Sequence, residues 1–178
     1  MTCTDLCTDL LPPQAPLHIE TMAMTERGMT LDVAVIASQA HCPTCTQPST
    51  HIHSHYRRTL ADLPWATTPV QLHLRVRRFW CATPHCARRT FTERVPQVAA
   101  CSARATTRLT AMQTSTGLAL GGAAGARHLA RQGMPDSRNT LLRRVRSLPA
   151  SAAPPPCAIG IDDWAKRKGH TYSRSQEI

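Results

Sequence analysis

Two cysteine pairs constrain this chain more than any other feature. Cys42-Pro-Thr-Cys45 and Cys81-Ala-Thr-Pro-His-Cys86 are separated by 35 residues. Two residues between thiols let both sulfurs reach one ion from a tight turn, with backbone N–H groups left to hydrogen-bond the sulfurs. A four-residue spacing is still inside the usual range, and Zn²⁺ takes four thiolates as a tetrahedron at ~2.3 Å. The expectation is a zinc ribbon whose site is structural, because four sulfurs leave no position for water. His85 is an alternative ligand to Cys86, and His41 to Cys42; four unrelated reduced thiols are the bland alternative. The N-terminus lacks the basic and apolar regions of a secretory signal, which favours a reducing, cytoplasmic setting. There, closely spaced cysteines read as metal ligands rather than disulfides.

A metal is also what the composition calls for. Only seven of the 178 residues are Phe, Trp or Tyr, so one large aromatic core is excluded. Small modules with little core need a metal or disulfide to fold. Zinc-finger peptides gain ~10–16 kcal/mol from the ion, so chelation is expected to melt residues 30–95. No run approaches the ~20 apolar residues of a membrane span.

Charge is distributed unevenly. Residues 1–56 carry one Arg and five acids, net −4, whereas residues 57–149 carry 16 Arg and three acids, net +13. A body this basic points to a polyanion, most often nucleic acid. GC-rich coding is the bland alternative, since only two of the 21 cations are Lys.

Along the chain, residues 1–28 sustain no period and read as a flexible leader, with Cys3 and Cys7 as free thiols. The run MTLDVAVIA (29–37) is rich in β-branched residues and predicts a strand; IHSHYRRT (52–59) predicts another, ended near Pro64. In VQLHLRVRRF (70–79), Val70, Leu72, Leu74 and Val76 alternate with Gln71, His73, Arg75 and Arg77, the mark of a half-buried strand with a basic outer face. A last strand is expected within RRTFTERV (88–95). The zinc ribbon is therefore assigned to residues 29–98.

The period then changes to that of helices. Ala105, Leu109 and Met112 recur at i, i+4 and i+7, predicting a helix to about Leu120. Residues 121–132 read as a second helix, GMPD (133–136) as a turn and residues 137–148 as a third helix capped by Ser137. Residues 121–148 thus read as a helix–turn–helix within a module spanning 102–148. Leu141, Leu142, Val145 and Leu148 share one face of the last helix; Asn139, Arg143 and Arg146 share the other, with Arg144 on a flank. Arg grips guanine O6/N7 and Asn grips adenine N6/N7, so Arg138, Asn139 and Arg143 are candidates for base edges. Arg144 and Arg146 are candidates for phosphates.

The end of the chain carries a Pro/Ala linker at 149–157 and an apolar strand, AIGID, at 158–162. Asp162 and Asp163 at that strand's end are the kind of carboxylate a two-metal nuclease needs first. Cys157 has no assigned role.

Taken in order, HCPTC, HSHYRRTLADLPW, LRVRRFWC, CARRTF, GLALGGAAGARHLARQGMP, TLLRRVR and GIDDWAKRKGHTY resemble the insertion-sequence transposases of the ISL-three group over residues ~30–172. The resemblance implies that Cys42, Cys45, Cys81 and Cys86 bind zinc and that residues 137–148 form the recognition helix. It also implies that Asp162 is the first acid of a DDE triad. The expected fold class is α+β: a β zinc ribbon, an all-α helix–turn–helix, and the first strand of a ribonuclease-H-like domain at 158–178. The expected partner is double-stranded DNA at the element's terminal inverted repeats, with a second copy or an intact transposase as protein partner. Mg²⁺ is implied only for a full-length enzyme. The second Asp and the Glu of the triad are not found after Tyr172, so the expectation is a truncated, nucleoid-associated DNA-binding product, inactive alone. Two alternatives are a free-standing zinc-ribbon and helix–turn–helix transcriptional regulator, and a module binding an acidic protein.

Overall fold

The computed structural model describes residues 11, 12 and 15–149. The linker and terminal strand from residue 150 onward, Asp162, Asp163, Cys3, Cys7 and Cys157 lie outside the described residues. The architecture is mixed α+β. Seven strands run β1 (Leu17–Thr25), β2 (Gly28–Val35), β3 (Ala40–His41), β4 (Pro48–Ser49), β5 (Ile52–Trp65), β6 (Thr68–Trp80) and β7 (Thr90–Thr92). Two helices follow, α1 (Thr107–Arg131) and α2 (Arg138–Arg146). The main sheet has the order β1-β2-β6-β5, with β7 also paired to β6. Its β2·β6 pair is parallel and its other pairs are antiparallel, while β3 and β4 make a separate small ladder.

The alternation along β6 is realised in the sheet. Val70, Leu72, Leu74 and Val76 are buried together with Met29, Leu31 and Val33 of β2 and Leu60 of β5. Val95, Val98 and Ala99 cover this face from the segment after β7. Burying one such aliphatic side chain is worth about 1.5–3 kcal/mol, so this layer has a core of its own, apart from the cysteines.

Several expectations need correction. Residues 17–25, read as part of a leader, form the edge strand β1, hairpinned to β2. A register shift between Ile19 and Thr21 changes the parity of the apolar residues: Leu17 and Ile19 pack on the core, whereas Met22 and Met24 beyond the shift are exposed. One inserted residue flips every later side chain to the other face, which erases the period-two signal. Nor does Pro64 end its strand: β5 runs to Trp65, because a second register shift between Asp62 and Trp65 places the proline where no ladder bond is needed. The strand expected within 88–95 is confined to Thr90–Thr92.

Arg77, expected on an outer basic face, is largely covered there rather than free in solvent. Its guanidinium meets Glu93 Oε2 at 2.7 Å, its backbone N–H donates to Glu93 Oε1 at 2.7 Å, and its side chain donates to the Ala37 carbonyl. Glu20 pairs with Arg75, and Asp32 with His73 and Arg57, so the outward face is charge-mixed rather than uniformly basic.

The helical segments follow the sequence more closely. Thr106 caps α1 by accepting from the Leu109 N–H. Gly121, at φ 71°, breaks α1 where two helices were expected to meet, so residues 107–120 and 122–131 are distinct helical segments. Glycine reaches that backbone region without the steric cost of a Cβ. Gly133, at φ 73°, terminates the second segment. Ser137 caps α2, its hydroxyl accepting from the Thr140 N–H at 3.1 Å.

The helices join the sheet rather than hanging from it. Ala105 bridges Ala61 of β5, with the Ala61 N–H donating to Arg104 O and the Thr106 N–H donating to Ala61 O, each at 2.9 Å. Asp62, fully buried, accepts from Thr106 Oγ1 at 2.6 Å, Arg108 Nε at 2.8 Å and the Leu63 N–H at 2.8 Å. Leu63 packs with Leu109, Leu129, Met134 and Leu141. Among the described residues, no helix is long and apolar enough to cross a membrane.

Candidate metal centre and nucleic-acid interface

The cysteine knuckles come from two tight turns. The first lies between β3 and β4, where the Thr46 N–H donates to Cys42 O at 2.8 Å and Thr46 takes φ 60°. The second lies between β6 and β7, where the Cys81 N–H donates to Arg89 O at 2.8 Å. β6 ends beside His51, whose carbonyl accepts from the Trp80 N–H. The long β5–β6 hairpin thereby brings knuckles 35 residues apart to one place.

The four sulfurs meet there. Cys42 Sγ lies 3.9 Å from Cys86 Sγ, Cys45 Sγ lies 3.6 Å from Cys81 Sγ, and all four are within 4.8 Å of one another. A tetrahedron with metal–sulfur bonds of ~2.3 Å has edges of about 3.8 Å. The donor set therefore fits one zinc ion in number, element and spacing. His41 and His85, weighed as substitute ligands, are exposed and stand outside this group. Phe79 and Phe91 lie in the same cluster, stacked with centroids 5.9 Å apart.

The surroundings prepare the sulfurs unequally. The Thr83 hydroxyl, 3.4 Å from Cys45 Sγ, and the Gln47 amide hold the Cys45 thiol down at about 6. The Cys45 amide, ahead of the Thr44 amide, holds Cys42 below the ordinary thiol value. The Arg88 amide acts in the same direction on Cys86, but burial and the three neighbouring sulfurs outweigh it and push that thiol up to about 11. Zinc takes thiolates, so an ion entering the site displaces protons from the four-sulfur cluster. Thr83 is a contributor that ligand spacing alone did not reveal, although it sits inside the second knuckle.

At the other end, α2 lies against small residues. A Cβ on Gly117 would meet Val145 and Leu141, and one on Gly122 would meet Leu142 Cγ at 2.9 Å and Arg138 O at 3.1 Å. Glycine at these positions lets α2 approach α1 at backbone distance. Leu141 is buried, whereas Arg138, Asn139, Arg143 and Arg146 are exposed. The arrangement leaves a helical face of Arg and Asn directed to solvent.

Arg144 is placed differently from its expected phosphate role. Its guanidinium binds Asp136 Oδ2 at 2.6 Å and also Gln113 Oε1, and its side chain is mostly buried. It braces α2 against the preceding turn and against α1. The helical wheel showed only that Arg144 flanked the polar face. Gln113, buried on α1, is the partner the sequence did not reveal.

Residues 38–86 match the family described as the zinc-finger of transposase IS204/IS1001/IS1096/IS1165. All four cysteines fall inside the match, so these residues form a transposase-type zinc ribbon and the cluster is its structural zinc site. No curated protein and no solved structure matches the chain.

Proposed function

We propose that this chain binds double-stranded DNA as the recognition segment of an insertion-sequence transposase, reading terminal inverted repeats. The zinc ribbon fixes the β5–β6 hairpin, the hairpin holds the helices through Asp62, and α2 presents its polar face to the major groove. The observation that carries this reading is the α2 surface: Arg138, Asn139, Arg143 and Arg146 point outward while Leu141 anchors the opposite side. Residues 104–147 contain eight Arg and one acid, Asp136, which is engaged by Arg144. A net-positive helical pair of this kind supplies phosphate attraction, and Arg and Asn side chains supply base readout. Binding of this type needs none of the carboxylates of a two-metal site.

The test is selection of duplexes from a random pool by the zinc-loaded chain, followed by salt titration. A selected sequence should bind with a steep, linear fall of log K with log salt. Arg143→Ala should relax base preference by ~1–3 kcal/mol at one position. Arg144→Ala should lower stability instead, leaving preference in place. Absence of salt-dependent duplex binding by the wild-type chain would remove the reading.

A further inference from the structure

The β5–β6 hairpin reverses through two residues, Ala66 and Thr67, at φ 46° and 80°. Both are in the left-handed region, which a tight two-residue hairpin requires and which Gly or Asn normally fills. For a β-branched Thr this is a strained conformation. Strain of this kind persists where the surroundings hold it, and it clusters at functional surfaces.

Here the surroundings are the α1–α2 turn. A Cβ on Gly133 would fall 2.5 Å from Thr67 O and 3.4 Å from Pro64 Cβ, so the hairpin tip is pressed against the backbone of that turn. Gly133 is five residues before Arg138, the first residue of α2. Trp65, which closes the hairpin opposite Thr68, is 55% exposed at this tip. Its indole flanks the Ala66–Thr67 tip that meets the turn leading into α2, and it belongs to none of the apolar clusters of the described residues.

We propose that Trp65 is a second duplex contact, an aromatic wedge set against the sugar and base edges beside the segment read by α2. The inference rests on the function proposed above and adds a residue to it. Side chains of this kind reach into a groove or stack on an unstacked base, and they contribute affinity without neutralising phosphate. Because Gly133 and Pro64 fix the tip, little ordering is required when DNA arrives. The occupant is assigned as DNA rather than protein because the adjoining helices are net positive, with Asp136 their one acid.

The experiment compares wild type, Trp65→Ala, Trp65→Phe and Arg143→Ala in the zinc-loaded full chain, using fluorescein-labelled duplexes selected by the wild type. Trp65→Ala should weaken binding about tenfold with an unchanged salt slope. Trp65→Phe should restore most of the affinity, and Arg143→Ala should weaken binding by relaxing base preference at one position. Binding of Trp65→Ala within twofold of wild type, alongside a clear loss for Arg143→Ala, overturns the proposal and leaves the α2 reading intact. So does a Trp65→Ala chain that keeps its DNA affinity but changes from dimer to monomer in sedimentation, which would make the tip a contact between copies. Failure of the wild type to bind any duplex removes both.

Discussion

Under the four cysteines, the hydrophobic cluster holds Phe79, Phe91 and Ala40. Around the helices it holds Leu109, Leu129, Met134 and Leu141, with Leu63 reaching in from β5. The knuckle end closes over an ion. The helical end closes by bringing backbones together at Gly117, Gly122 and Gly125 and by burying Asp62 against Thr106 and Arg108. The knuckle end packs two stacked phenylalanines and the helical end packs only aliphatic side chains, and their vulnerabilities differ as well. One depends on a ligand that can be removed, and the other on sites where a single methyl group or a lost carboxylate is felt.

The largest expected effect separates the two ends directly. Removing the metal should cost the knuckle ~10–16 kcal/mol of binding free energy, the range of zinc-finger peptides. The sequence suggested that residues 30–95 would melt together. The Leu and Val layer between β2, β6 and β5 is separate from the cysteines, so the loss should be confined to residues 40–49 and 79–92. Hydrogen exchange with and without chelator checks this: rapid exchange should appear in those two stretches, while Leu72, Leu74 and the helices stay protected.

Asp62→Ala should act at the opposite end. It strips a buried carboxylate from Arg108 and Thr106, and breaking a buried pair by removing one partner costs about 3–5 kcal/mol. Denaturant unfolding measures it, and metal content should remain at one ion per chain. A variant that lost zinc as readily as helical structure would show that the two ends are not separate.

Gly122→Ala sharpens the comparison further. In an open helix that change is favourable by about 1 kcal/mol. Here the new methyl meets the branch carbon of Leu142 and the Arg138 carbonyl, so overpacking should reverse the sign to a loss of about 1–3 kcal/mol. A stabilised variant would mean that α2 is not seated at backbone distance.

The smallest effect belongs to the sheet's outer face. The Thr21 hydroxyl donates to Asp32 Oδ2 at 2.7 Å and, ahead of His73 and Arg57, holds the Asp32 carboxyl below its ordinary value. A lowered folded-state pKa stabilises above the unfolded value, about 3.9, and that contribution is lost as pH falls through the folded one. The group is solvent-accessible, so Thr21→Val should cost only about a few tenths of a kcal/mol near neutral pH. The difference from wild type should vanish in acid, as followed by thermal unfolding across a pH series.

The metal ligands were readable in the sequence because thiolate spacing is a local property of turns. β6 was readable because its period-two pattern runs uninterrupted over Val70–Val76. The break at Gly121 and the cap at Ser137 were readable for the same local reason. β1 was not, because the register shift after Ile19 divides its apolar residues between two parities. The internal roles of Arg77 and Arg144 were also hidden. Their partners Glu93 and Gln113 lie 16 and 31 residues away, and a helical wheel or strand pattern shows only neighbours along one element. Nor does any local signal announce that Asp62 joins the sheet to the helices, since Arg108 lies 46 residues further on.

The account stands most directly on where duplex DNA touches the zinc-loaded chain. Residue-resolved NMR titration with a selected duplex measures this. The largest amide and side-chain shifts should fall on Arg138, Asn139, Arg143 and Arg146, with the β1 edge silent. Shifts gathered on the outer face around Glu20, Asp32 and His73, with α2 unmoved, would contradict it.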